Sequence, residues 1–202
     1  MRTIHATILG AAALALAFAA QAQDYRGQAI SMMKRDFHAH GIATMDRLDE
    51  DALQQICNRS RNDPPKGLAE ALQGDQLAGI KYPADGKFLG DWKSGEHIAQ
   101  NGRGMTFKDK AGQANGGSCY NCHQIGPDTT SFGTIGNSLL HFGKIRGYGP
   151  EMQKYVYGKI YNAKAFNLCS KMPRFGHSGT LTEQQIKDLV ALLLDPNSPV
   201  NK

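Results

Sequence analysis

Residues 116–127 read GGSCYNCHQIGP, with Cys119 and Cys122 three positions apart and His123 directly after the second cysteine. Two intervening residues let one helical turn present both sulfurs to one edge of a planar group. The next residue, a histidine, is then aimed at the centre of that group. This is the C-x-x-C-H spacing of c-type haem attachment, in which each thiol forms a thioether to a haem vinyl carbon and the histidine ligates the iron. A thioredoxin-like dithiol also uses C-x-x-C, but nothing around the motif alternates strands with helices, and His123 would be left without a task. Zinc asks for four ligands, and no second close cysteine pair accompanies this one. The motif therefore implies one covalently bound haem c, held by Cys119 and Cys122, with His123 as proximal iron ligand.

The N-terminus supplies the compartment. Arg2 and His5 make a weakly positive start, the run TILGAAALALAFAA from Thr7 to Ala20 carries no charge, and AQAQD follows with Ala20 and Ala22 at the small-residue positions. These features describe a secretory signal peptide over 1–22, cleaved after Ala22. The apolar run is shorter than the roughly 18–20 residues of a spanning helix, and no later stretch approaches that length, so no membrane span is expected. A bacterial periplasm is the natural destination. In an oxidising compartment unmodified thiols tend to pair. Once Cys119 and Cys122 carry haem, only Cys57 and Cys169 remain, so a Cys57–Cys169 disulfide is the economical expectation. Closing so long a loop could contribute up to about 4–5 kcal/mol on the chain-entropy argument.

A cytochrome that only passes electrons commonly completes the iron's coordination with methionine, which raises the potential. Of seven methionines, Met1, Met32, Met33 and Met45 precede the haem module, and Met105 and Met152 sit where packing explains them. Met172 lies in the irregular stretch CSKMPRFG, downstream of the motif and followed by Pro173, which stiffens the backbone. It ranks first as distal ligand, with His177 second and His141 third.

The rest of the chain organises around these residues. Ser94 can cap a short helix over GEHIAQN, and a glycine-rich loop, GTIGNSLLHFGKIRGYG, follows the motif. Pro150 suits the first position of a helix running to about Tyr161. The clearest helix is TLTEQQIKDLVALLLDP, where Thr182 and Gln185 match a capping box, Leu181, Ile186, Leu189, Val190 and Leu193 recur at helical spacing, and Pro196 marks the stop. Helix, haem motif, loop, helix, methionine and terminal helix is the order of a class I cytochrome c-like domain, all-α, here over residues 91–202. Residues 23–90 form an N-terminal extension. Within it ISMMKRDFHAHG and LDEDALQQICNRS read as short helices, the second capped by Asp49, whereas Pro64, Pro65, Pro83 and several glycines between Asn62 and Gly90 read as ordered loop. His38 and His40, two positions apart, would not share a helix face and receive no role.

The stretches WKSGEHIAQNGRGMTFKD, GGSCYNCHQI, GTIGNSLLHFGKIRG and CSKMPRFGHSGTLTEQQIKDLVALLLDPNSPVN resemble the SoxX family over roughly residues 48–201, above all in Cys-x-x-Met-Pro and the closing DPNSPVN. SoxX is the monohaem subunit of SoxAX complexes in periplasmic thiosulfate oxidation. The resemblance implies a heterodimer with a SoxA-like haem subunit that conjugates thiosulfate to a cysteine of the SoxYZ carrier. The SoxX chain then accepts the electrons and relays them to a small cytochrome c. It also implies Cys119 and Cys122 as haem attachments and His123 with Met172 as the axial pair, and the reaction's own catalytic site on the partner. The sequence departs from the pattern at GNSL, where Asn137 stands in place of proline. A backbone carbonyl there can still orient His123.

Charge points the same way. Residues 101–180 hold ten Lys and Arg against three Asp and Glu, whereas the flanking segments are slightly acidic. A basic rim steers an acidic redox partner; a solvated surface without a partner is the plainer alternative, and nucleic acid is out of place in this compartment. A free-standing periplasmic electron shuttle and a self-sufficient haem enzyme are the competing functions. A methionine-ligated iron has no open position for the latter's substrate.

Overall fold

The computed structural model describes residues 25–202, so the signal peptide expected at 1–22 lies outside the described residues. Those residues are helical, without a strand; an isolated antiparallel bridge pairs His40 with Ala43. No helix among them is long and apolar enough to cross a membrane. They fall into two compact units, divided between Asp49 and Glu50. The first contains helix α1 (25–36), the His40–Ala43 bridge and a 3-10 turn at Met45–Leu48, with Lys34 paired to Asp49 at 3.1 Å.

The second unit, 50–202, contains α2 (Ala52–Arg59), α3 (Lys66–Ala78), α4 (Trp92–Gln100), α5 (Phe142–Arg146), α6 (Pro150–Tyr161) and α7 (Glu183–Leu194). Helix α7 is its axis. Thr182 and Gln185 form the expected reciprocal capping box. The burial is wider than the single stripe its sequence shows: Ile186 and every residue from Asp188 to Leu194 are buried, because α4, α5 and α6 all pack against it. Fully covering side chains such as Ile186, Leu192 and Leu194 contributes about 1.5–3 kcal/mol each.

Helix α4 approaches α7 so closely that a Cβ on Gly95 would overlap the backbone of Asp188. The Asp188 side chain, itself buried, accepts the Asp91 N–H at 2.9 Å and a Gln184 amide hydrogen at 2.8 Å, which ties the start of α4 to α7. The cap of α4 is Asp91, not Ser94. Its carboxylate takes the Lys93 and Ser94 N–H groups, so the helix begins at Trp92, earlier than the expected GEHIAQN segment.

The closing DPNSPVN segment terminates α7. Ser198 Oγ donates to Leu192 O at 2.6 Å, and Asn201 Nδ2 donates to Leu193 O and Asp195 O, both at 3.0 Å. Asn201 Oδ1 accepts the Gly143 N–H at 2.8 Å, so one buried side chain caps the C-terminal end of α7 and the N-terminal end of α5 together.

Two expectations for the extension need correction. Helix α2 is capped by Asp51 in a box with Gln54, not by Asp49, which instead belongs to the first unit. The stretch expected as loop between Asn62 and Gly90 contains the 13-residue α3. Pro65 sits at its N-cap, where a missing N–H costs nothing, and Gly67 and Gly74 are tolerated without contacts. What holds α3 is tertiary. Ala69 and Leu72 pack on Leu53, Cys57 and Leu168, Gln73 Nε2 donates to Ala165 O at 3.2 Å, and Asn162 Nδ2 donates to Gln76 Oε1 at 3.1 Å.

These contacts predict opposite outcomes for two glycines. Gly95→Ala should lower the stability of the chain by about 1–3 kcal/mol, the usual cost of overpacking. Gly74→Ala, in an open helix interior, should raise it by roughly 0.5–1 kcal/mol. Urea unfolding of both variants checks the pair.

Candidate haem site

The C-x-x-C-H motif is docked on α4 by its backbone. Gly117 N donates to Ile98 O at 2.8 Å and Ser118 N to Asn101 O at 3.0 Å, and Ser118 takes a left-handed conformation (φ 50°) that turns the chain into a 3-10 turn at Cys119–Asn121. Cys122 N and His123 N both donate to Cys119 O, at 3.1 and 3.0 Å, so the five motif residues form one compact turn. Tyr120 is buried and its hydroxyl donates to Glu96 Oε1 on α4 at 2.8 Å.

The following loop folds back along the motif. Gly133 N donates to Tyr120 O at 2.9 Å, Gly136 N to Cys122 O at 2.8 Å and Leu139 N to Gln124 O at 2.7 Å. This register puts Gly136 against the His123 ring so tightly that any Cβ there would overlap it, and brings Asn137 O to 2.7 Å from His123 Nδ1. A carbonyl only accepts, so Nδ1 is the donor here, and the neutral ring in this tautomer offers its Nε2 lone pair to a metal. The Asn137 that replaces proline thus still orients the histidine through its backbone.

His123 and Cys119 line a cavity of about 400 Å³ whose other walls include Ile125, Leu139, Phe142, Val156, Ile160, Leu189 and Leu193. That volume lies within the roughly 300–1,000 Å³ usual for small-molecule and cofactor clefts. Met172, 49 residues after His123, lines the same cavity together with Phe175. Cys122 is half-buried at the end of the motif turn and does not itself line the cavity. The other distal candidates are elsewhere. His177 is exposed with Nε2 3.3 Å from Arg174 Nη1, His141 precedes α5 and does not line the cavity, Met152 packs in the core and Met105 is exposed.

The donor set suits an iron porphyrin. It combines an imidazole nitrogen with its tautomer set, a thioether sulfur and two thiols beside an apolar cleft. Among the described residues no group of three or more His, Cys, Asp or Glu is placed together. Burial pushes the Cys119 thiol up to about 12, the opposite of the shift that makes a redox cysteine nucleophilic.

The Met172 segment has no regular structure of its own. Cys169, at its start, is joined to Cys57 of α2 by a disulfide with the Cα atoms 5.5 Å apart, closing the 112-residue separation. Beyond it, Arg174 pairs with Asp51, and Gly176 and His177 both donate backbone N–H groups to Tyr161 O at 3.1 Å. Burial works against the Asp51 charge, but the Gln54 N–H and the Arg174 guanidinium outweigh it and hold the carboxyl below the ordinary aspartate value. The sequence reading passed over Asp51 and Arg174. The only sign of Asp51 was the D-x-x-Q spacing of a capping box, and nothing local announces a partner 123 residues away.

No protein-family model matches the chain. It is similar to a protein of Aquifex aeolicus (strain VF5) described as an uncharacterized lipoprotein, with 39% identity over 155 residues, covering 76% of this chain and 73% of the relative. The chain belongs to that lipoprotein's family. The match takes in most of both chains, so the family likeness is not confined to a short motif.

Non-reducing peptide mapping should recover residues 57 and 169 in one fragment that separates on reduction. Recovery of either cysteine alkylated before reduction would refute the bond.

Proposed function

We propose that the chain is a periplasmic monohaem c-type cytochrome with a class I cytochrome c-like domain. In this reading it is the electron-accepting subunit of a SoxAX-type L-cysteine S-thiosulfotransferase. The observation that carries the reading is the convergence of Cys119, His123 and Met172, distant in sequence, on one apolar cavity. The basic balance of residues 101–180 supports a role in meeting acidic redox proteins. The signal-like segment at 1–22 and the relative's description as a lipoprotein both support export from the cytoplasm.

Cys119 and Cys122 would hold the haem covalently, and His123 and Met172 would ligate its iron. The haem supplies a one-electron iron couple when bound. The chain's own residues set the conditions for it. The Asn137 carbonyl keeps His123 in the Nδ1–H tautomer. The largely apolar walls would shield a bound group from water, which would lower the reorganisation that a change of charge demands, and a thioether ligand favours the reduced state more than a second histidine does. Catalysis of sulfur–sulfur bond formation belongs, on this reading, to a SoxA-like haem partner acting on the SoxYZ carrier; a small cytochrome c takes the electron onward.

Produced with haem-attachment machinery, the chain should carry one covalent haem, lost when Cys119 and Cys122 are both replaced by alanine. Its oxidised form should be low-spin, with the weak near-infrared band of methionine–iron(III) ligation. Met172→Ala should abolish that band, and its persistence would refute the ligand assignment. From periplasm the chain should co-purify with a larger haem protein. Thiosulfate turnover by the isolated chain would instead favour a self-sufficient enzyme.

A further inference from the structure

We propose that Asp51 and Arg174 are positioning residues for Met172, acting with the Cys57–Cys169 bond to splint the methionine segment along α2. The inference rests on the haem-binding reading above. The segment from Cys169 to Arg174 contains no helix, and its internal support is slight: Met172 N donates to Ser170 Oγ at 3.2 Å. Left to itself, such a stretch samples many conformations, each fixed residue costing about 1–2 kcal/mol of backbone entropy. It is fastened instead at both ends to one short helix. Cys169 is bonded to Cys57 inside α2, and Arg174 is paired with Asp51, the residue that caps α2. Asp51 and Cys57 are six residues apart, about 9 Å along a helix axis, so α2 spans the segment lengthwise.

Met172 lies between the two fastenings, and both it and Phe175 line the cavity. Arg174, between them in sequence, is committed to Asp51, with only 15% of its side chain exposed. The contact runs from Nη2 to Oδ2, so a cation of similar reach on the segment is what holds the two residues together. The disulfide alone pins only the start of the segment, three residues before the methionine. The ion pair pins the other end, and together they leave Met172 little freedom to leave the cavity.

The test uses the haem-loaded full chain. Asp51→Asn keeps a good helix cap while removing the charge; Arg174→Gln removes the partner; Arg174→Lys restores a cation. The readouts are the near-infrared methionine band and the affinity of the reduced protein for carbon monoxide, a probe that binds only when the sixth position opens. Apparent affinity scales with the open fraction, so an opening increased by about tenfold reads as about tenfold tighter binding. D51N and R174Q should both weaken the band and tighten carbon monoxide binding at a temperature far below unfolding, and R174K should recover much of the wild-type behaviour. If wild type shows the band and D51N and R174Q match it in both readouts, the positioning role is wrong while the ligand assignment stands. Changes that appear only as the circular dichroism of the whole chain is lost would also overturn it, since they report unfolding and not ligand placement. A wild-type protein without the band would overturn the haem-ligation reading and this inference with it.

Discussion

The close crossing of α4 and α7 governs the 50–202 unit. Gly95 lets the two backbones meet, and the buried Asp188 carboxylate converts that approach into fixed register by accepting the first N–H at the head of α4. Everything that forms the cavity is referred to this pair. The C-x-x-C-H motif hangs from the C-terminal end of α4 through Gly117 and Ser118, and α7 contributes Leu189, Leu192 and Leu193 to the cavity wall. Helix α5, another wall, is held to the end of α7 by the single side chain of Asn201.

The segments that carry His123 and Met172 are stabilised by different means. The histidine side is self-contained. Residues 116–139 bond to one another and to α4, and the tautomer of His123 follows from backbone register alone. The methionine side borrows its order. Its segment is tied by a disulfide and an ion pair to α2 and by backbone bonds to Tyr161 at the end of α6. This division gives α2 and α3, which carry none of the cavity-lining side chains, a physical reason to be present. They form a second small core of Leu53, Cys57 and Leu168, with Ala69 and Leu72 packed on it, behind the segment that needs support.

Local chemistry was legible wherever a few adjacent residues suffice to specify it. The capping box at Thr182 and Gln185, Pro150 at the start of α6 and the turn geometry of C-x-x-C-H each depend on neighbours within four positions. Misreadings arose where neighbours compete. Asp49, Glu50 and Asp51 are all acidic, and only the reach of Gln54 selects the third as cap of α2. Helix α3 was hidden because its prolines and glycines read as breakers; its helicity depends on Leu168 and on the turn at Ala163–Ala165, about ninety residues away.

By itself, then, the sequence determined the all-helical class, the cysteine pairing and the C-x-x-C-H turn, since these follow from spacing, elimination and side-chain chemistry. It ranked Met172 above His177 and His141 by the stiffness of its surroundings. Only the tertiary structure decided which of those side chains shares a cavity with His123, because that depends on how α6 and α7 fold back over the motif. The Asp51–Arg174 pair was likewise a tertiary decision. Each residue is ordinary in its own neighbourhood, and the attraction between them exists only in the folded arrangement, where the disulfide and the core around α2 hold the two segments together.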